Sequence, residues 1–304
     1  MTYSAGNTIL ASDFNSFHND VEDIFEDNNN DSVSAGALIF GYGETLLQAE
    51  VSVGNTINAA HWNNLYMMIH RCAGHQGTSI TLGGSVSAGP RTAGDTITAD
   101  STLAAAITAV RNGKLSADAG NMTTAAKNNK SGTASWTAST THTFTQTFAN
   151  YNAARYFFNQ GGNMQFSASR SGGSGTTQNS DWATLLSAIG TITVAVNTTT
   201  QSGSGGTTGD SFDDIVGNAG STRTIFTQAS SGVYSANNYK IQCSCNAAKV
   251  IYTWTITFTD GHTNSPWSDY VDGTLSSNVS ERRATGTYIN SDAPSYSSGS
   301  FSQS

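Results

Sequence analysis

The rhythm of apolar positions changes along the chain. In the first third it is helical. Phe14, Phe17, Val21 and Ile24 recur at steps of three, four and three, and Trp62, Leu65, Ile69 and Cys72 repeat the same steps. That spacing lines one face of an α-helix. A third set, Leu103, Ile107 and Val110, sits in the Ala-rich run Thr102–Val110, with Gly113 placed to end that helix. From residue 133 the period falls to two. Tyr239, Ile241, Cys243 and Cys245 alternate with polar residues, and Val250, Tyr252, Trp254, Ile256 and Phe258 alternate with Ile251, Thr253, Thr255, Thr257 and Thr259. Such alternation predicts antiparallel strands with one face in a core and one in solvent.

Weaker signals fill the rest. Thr143–Phe148 is β-prone, and Asn150–Asn159 reads as a helix stopped by Gly161 and Gly162. Met164, Phe166 and Ala168 alternate as a strand. Ser180 is placed to cap a short helix carrying Trp182, Leu185, Leu186 and Ile189, followed by a strand over Thr191–Val196. Glu281–Ile289 reads as the last strand, and the Ser-rich segment after Asn290 as an extended arm.

The helical third is repetitive. Gly-Asn/Asp-Thr-Ile-x-Ala begins at Gly6, Gly54 and Gly94, and a recurring motif marks one reused supersecondary unit. Each unit reads as a turn followed by a helix. Asn58 and Thr98 can accept from first-turn N–H groups, whereas Leu10 cannot, so the first helix is expected to begin slightly later, at Ser12. Isolated helices shorter than about 12–15 residues are marginal in water, so the stripes must pack on one another or on other subunits. Phe14, Phe17, Val21, Ile24, Trp62, Leu65, Ile69, Leu103, Ile107 and Val110 are therefore the candidate assembly interface. The predicted class is α+β, with three turn-helix units followed by an antiparallel, sandwich-like β-rich domain with short helices. Residues 1–115 form the helical attachment region, 116–132 a linker, 133–290 the β-rich domain and 291–304 the arm.

Composition narrows the function. Charged residues make up 11% and hydrophobic residues 37% of 304 positions, with a net charge of −8. Ser, Thr, Asn and Gly fill the difference, a surface typical of β-rich extracellular and particle proteins. Lys and Arg do not cluster as phosphate-backbone binding requires. No apolar run follows Met1 as in a signal peptide, and no stretch has the roughly 20 apolar residues of a membrane span. A surface-type composition without a secretion signal is reconciled by assembly into a virus particle inside a host cytoplasm. Three cysteines, Cys72, Cys243 and Cys245, point to buried thiols rather than a disulfide framework.

Candidate chemistry is sparse. His70, Cys72 and His75 are legitimate metal ligands, but no second ligand pair accompanies them. Asp210, Asp213 and Asp214 lie in a Gly-rich loop that lacks the spacing of an EF-hand, which leaves calcium binding open. No nucleophile elbow, phosphate loop or dinucleotide fingerprint is present, and no catalytic residue, metal site or cofactor is expected. Trp267 and Tyr270 are the candidate glycan contacts, since loop aromatics can stack on sugar rings or pack on the sheet.

Several segments carry a resemblance. Gly6–Asn15 and Ala60–Leu65 resemble the N-terminal helical motifs of structural proteins from tailed bacteriophages, especially those of marine bacteria. Ala154–Gly162, Phe166–Arg170, Ser180–Ala183 and Ser280–Gly286 are similar to segments of their β-rich region. The resemblance implies a virion structural protein of the tail or its fibres, present in many copies and partnered by itself and other virion proteins. It brings no catalytic residues. The other reading is a receptor-binding adhesin that recognises host surface glycans through its C-terminal domain loops.

Overall fold

The computed structural model describes residues 10–26, 41–82, 101–133, 135–262 and 270–303. Among them are six α-helices and two antiparallel sheets, an α+β arrangement. The chain divides into two compact units. One combines residues 1–123 with Arg155–Gly161 and Ala284–Ser291; the other takes Thr124–Ala154, Gly162–Arg283 and Asp292–Ser304.

The first unit is built on helices α1 (Ala11–Phe25), α2 (Ala59–Gln76) and α3 (Ser101–Asn112). Asn58 caps α2 as its sequence predicts, its side chain accepting from the N–H groups of Ala60 and His61 at 3.0 and 3.2 Å. Helix α1 begins at Ala11, one residue before the expected start. Leu10 offers no side-chain cap, and the Asp13 carboxylate instead reaches back to accept the Leu10 N–H at 3.0 Å. The repeat openings at Gly6 and Gly94 lie outside the described residues; the one at Gly54 is described, with φ of +92°.

The three stripes converge on one core. Phe14 meets Trp62 edge to face at 5.3 Å between ring centroids. Leu103, Ile107 and Val110 of α3 join the same cluster, as does Cys72. Tyr42 closes one side: its N–H donates to Ile24 O, its hydroxyl donates to Lys114 O at 2.9 Å, and it accepts from Gln76 Nε2 at 2.8 Å. The two later segments complete this unit. Gln160 O faces His75 Nε2 at 3.0 Å, Asn159 Nδ2 donates to Gly41 O, and Ile289 is buried in the cluster. Arg71 donates to Tyr288 O and to Glu44, with its guanidinium over the Phe25 ring.

The second unit is sandwich-like. Its strands are β1 (Met122–Ala126), β2 (Lys130–Thr133), β3 (Ser139–Thr147), β4 (Asn163–Ser171), β5 (Ile192–Val194), β6 (Thr199–Gln201) and β7 (Thr207–Thr208). They continue with β8 (Arg223–Ala229), β9 (Asn238–Cys245), β10 (Ile251–Thr259), β11 (Thr274–Ala284), β12 (Ser295–Tyr296) and β13 (Ser300–Gln303). One sheet runs β1-β11-β4-β5-β6, with β2 also on β11; the other runs β12-β3-β10-β9-β8-β7, with β13 also on β3. Helices α5 (Thr177–Ile189) and α6 (Phe212–Gly217) occupy its connections, and α4 (Tyr151–Asn159) passes from this unit to the first at Arg155.

The period-two reading of β9 and β10 holds. Tyr252, Trp254, Ile256 and Phe258 are buried, and Trp254 lies 5.0 Å from Phe166 of β4 between ring centroids. On the outer face Thr253, Thr255, Thr257 and Thr259 of β10 stand opposite Thr145, Thr143, Thr141 and Ser139 of β3. β-Branched side chains suit such a pleated surface, so the solvent face is polar with little charge.

Four expectations need correction. Residues 116–132 are not a linker, because β1 and the start of β2 lie there and pair with β11. The last long strand covers Thr274–Ala284 rather than Glu281–Ile289, and Tyr288 and Ile289 pack instead on the helical core. Helix α5 is capped by Thr176, whose Oγ1 accepts the Asn179 N–H at 3.1 Å; Ser180 lies within the helix. The segment after Asn290 is not a free arm, because β12 and β13 hydrogen-bond along β3.

Candidate functional site

All ten residues of the helical stripe are covered within a single chain. Phe17, at 8% exposure, is the most accessible of Phe14, Phe17, Val21, Ile24, Trp62, Leu65, Ile69, Leu103, Ile107 and Val110. As an assembly interface the stripe is therefore already spent on the intramolecular core. Among the described residues, the larger apolar side chains this unit exposes are Leu10, Leu47, Val53 and Met67.

Of the two loop aromatics, Trp267 lies outside the described residues. Tyr270 is half-buried, and its carbonyl accepts the Thr176 hydroxyl at 2.8 Å. The adjacent turn is fixed through Asp272. Its carboxylate accepts from Asn179 Nδ2 at 2.6 Å and from the Ser174 N–H at 3.0 Å, which holds it below the usual carboxylate range.

The acidic loop is divided among structural partners. Asp210 takes both Arg223 Nε and Nη2, at 3.0 and 2.9 Å. Asp214 accepts from the Ser211 N–H and hydroxyl at the start of α6. Asp213 is left with a buried Oδ1 that has no hydrogen-bond partner, and burial together with neighbouring Asp214 raises its pKa to about 6. Among the described residues no cluster of three His, Cys, Asp or Glu is arranged to hold a metal ion. Cys72, Cys243 and Cys245 are buried free thiols, as their stripe and strand positions predicted.

The most organised polar chemistry lies between the two sheets and was not legible in the sequence. On β11 the inward positions are Leu275, Ser277, Val279 and Glu281, so two polar side chains enter the interior. His142 of β3 faces Ser277 Oγ with Nδ1 at 2.9 Å and Asn128 Oδ1 with Nε2 at 3.0 Å. Because Asn128 Nδ2 donates to Ser297 O at 2.7 Å, its Oδ1 is the acceptor. The proton order follows: His142 Nε2–H donates to Asn128, and Nδ1 accepts the Ser277 hydroxyl. Burial, and then Lys130, lower the His142 pKa to about 4, so the ring is neutral near pH 7.

A nucleophile, a base and an orienting amide in that order are the parts of an acyl-transfer site. Here they are enclosed. Ser277 is 1% exposed and lies mid-strand, paired with Lys130 on one side and Ala168 on the other, so neighbouring backbone groups are spent on the ladder. The arrangement joins two sheets and gives a substrate no approach.

A second polar chain lies alongside. Glu281 accepts from the Tyr296 hydroxyl at 2.6 Å and pairs with Lys127 at 2.9 Å. Gln146 Nε2 donates to the Tyr296 oxygen at 3.1 Å, and Gln146 Oε1 accepts from Trp254 Nε1 at 3.2 Å. Ser297 and Tyr296 both belong to the segment along the β3 edge, so both polar chains end on it. That edge carries β12 and β13, paired along β3. No described helix is long and apolar enough to cross a membrane. No protein-family model, curated protein or solved structure matches this chain.

Proposed function

We propose that this chain is a structural protein of a tailed-bacteriophage particle, part of the tail or its fibres, assembled in many copies in the host cytoplasm. The observation that carries the reading is how the β unit uses its side chains. Apart from Ile251 at the start of β10, the outward positions of β3 and β10 are threonines and a serine, while His142, Ser277, Gln146 and Glu281 bridge the two sheets. Polar groups used this way rigidify a core, and the weakly charged exterior suits close packing among copies. The phage-like motifs and the recurring Gly-Asn/Asp-Thr-Ile-x-Ala sequence support the same assignment. With the stripe buried, docking to other virion proteins falls to exposed positions such as Val53 and Met67. The test is mass spectrometry and an image reconstruction of purified particles from a phage encoding this chain. Stoichiometric presence at a defined tail position is expected; absence from the particles would sink the proposal.

The adhesin reading is favoured by one observation. Tyr270 is half-buried beside a turn that Asp272 locks, a rigid placement suited to stacking on a sugar ring. Binding to a host-glycan array that Tyr270→Ala removes would support it, and an array without signal would argue against it.

A further inference from the structure

Strand β3 has β10 on one side and, on the other, only a short segment from far along the chain. Asp292 and Ala293 are exposed and Pro294 is buried; β12 then pairs antiparallel with β3 at Ser295↔Thr147 and Tyr296↔Gln146, and β13, shifted by one residue, from Ser300↔Thr143 to Gln303↔Thr140. Two side chains of this segment enter formed sockets. The Tyr296 hydroxyl reaches Glu281 and Gln146, and its ring lies 6.3 Å from Phe144. Phe301 stands edge-on to His142, over Gly132, where a Cβ would lie 2.8 Å from the Phe301 ring. Between the sockets Ser297 is clamped. Its N–H donates to Thr145 O at 3.0 Å, its Oγ accepts the Thr145 N–H at 2.9 Å, and its carbonyl accepts from Asn128.

Main-chain pairing along an open edge, with side-chain sockets to select the sequence, is how sheets recognise extended peptides. We propose that the β3 edge is a strand-capture site that exchanges its occupant between copies, so that the Asp292–Gln303 segment of one chain fills the edge of a second copy. The sockets select the occupant: a tyrosine donating to a buried carboxylate, a serine at the clamp, and an aromatic ring over a glycine. Another copy of the same segment meets all three requirements. Exchange of an identical element re-forms the same bonds, which makes it a low-cost route to assembly. The run leading into the edge favours it, because Ala293 precedes Pro294 and is biased towards an extended backbone. The proposal rests on the sheet edge and not on the virion reading, so each can fail alone.

Cysteine cross-linking tests it on the full chain, whose own cysteines are buried. Thr147→Cys and Ser295→Cys, which face each other in register outside the three sockets, are made singly and together. The double variant reports whether the segment sits on the β3 edge, because a disulfide then forms within or between chains. The single variants, one carrying a size tag, are mixed at high concentration and oxidised mildly. Exchange predicts a disulfide-linked heterodimer several-fold above either single variant alone, and its loss when Tyr296→Ala is added to the Ser295→Cys chain. An intrachain disulfide in the double variant with no heterodimer in the mixture would overturn exchange. No disulfide in either experiment, with circular dichroism showing folded chains, would overturn strand capture itself.

Discussion

Tyr296 donates its hydroxyl hydrogen to Oε2 of Glu281 at 2.6 Å, joining a short edge strand to the inward face of the longest strand in the other sheet. Glu281 is 1% exposed, and its other oxygen lies 2.9 Å from Lys127 Nζ. Burial first, and then the neighbouring carboxylate, push the Tyr296 hydroxyl pKa up, so the phenol stays a donor throughout the accessible pH range. Tyr296→Phe keeps the ring and deletes the donor. The expected loss is about 1–3 kcal/mol, the range for leaving a buried partner short of one bond. Urea unfolding of the full chain measures it; an unchanged midpoint would mean that Lys127 and Arg283 satisfy the carboxylate without the phenol.

Two glycines of the helical unit separate backbone strain from crowding. Gly43 has φ of +74° and Gly54 φ of +92°, where a side chain is disfavoured. A Cβ at Gly43 would collide with the Tyr156 ring, whereas nothing lies within 4 Å of one at Gly54. Gly54→Ala should cost roughly 1 kcal/mol from strain alone, and Gly43→Ala should cost more by about 1–3 kcal/mol of overpacking. Thermal melts followed by the helical circular dichroism signal compare them. Equal losses would show that Tyr156 yields freely.

Two histidines give the units opposite pH responses. Burial opposes the charged form of His18, but Glu22, the Gln48 carbonyl and Asn19 outweigh it and raise the pKa above 6.5. Its Nε2 lies 2.6 Å from Gln48 O, and Glu22 lies 3.5 Å from Nδ1. The folded state holds this proton more tightly. The stabilisation is therefore complete below the unfolded pKa of 6.5 and is lost as pH rises through the folded value. His142 runs the other way. With a folded pKa of about 4 against 6.5, the unfolded chain gains the proton first, and stability falls by on the order of 3 kcal/mol as pH drops through that window. Denaturant midpoints across pH should lose their alkaline slope in His18→Gln and their acid slope in His142→Asn. A slope that survives its own substitution would assign it to another group.

Asp213 offers a stabilising change. Its pKa is raised from 3.8 to about 6, and its buried Oδ1 lacks a hydrogen-bond partner. A raised carboxylate costs stability above its folded pKa, where the charged form must be held, and the cost disappears below the unfolded value. Asp213→Asn should therefore raise the Tm at neutral pH and leave it unchanged near pH 4. The same melts with and without calcium should coincide, because Asp210 and Asp214 are committed to Arg223 and Ser211. A calcium-dependent rise in Tm would reverse that assignment.

The parts of the fold legible in the sequence were those whose partners obey a local rule. The stripes of α1 and α2, the Asn58 cap and the alternation in β9 and β10 each depend on spacing within a few residues. Strand β11 was misplaced because its inward face reads Leu275-Ser277-Val279-Glu281, which breaks the apolar alternation. What makes Ser277 and Glu281 acceptable inside is supplied by His142 and Tyr296, and no local pattern announces partners that distant. The same reason hid the β3 edge: Ser-rich flanks around Tyr296 and Phe301 look like solvated tail until their sockets are known. The stripe was read correctly as buried, but its spacing carried no information about whether the burying surface belonged to the same chain.

The helical unit draws on Arg155–Gly161 and Ala284–Ser291 as well as residues 1–123. Ile289 lies in its core and Gln160 O faces His75. Although most of this unit is made first on the ribosome, it cannot close until residue 291 has emerged. At the usual ~5–20 residues per second of synthesis, Arg71 waits roughly ten seconds or more for the Tyr288 carbonyl it donates to. Over that interval the C-terminal end of α2 lacks its last partners, so the helical unit is complete only when synthesis is nearly over.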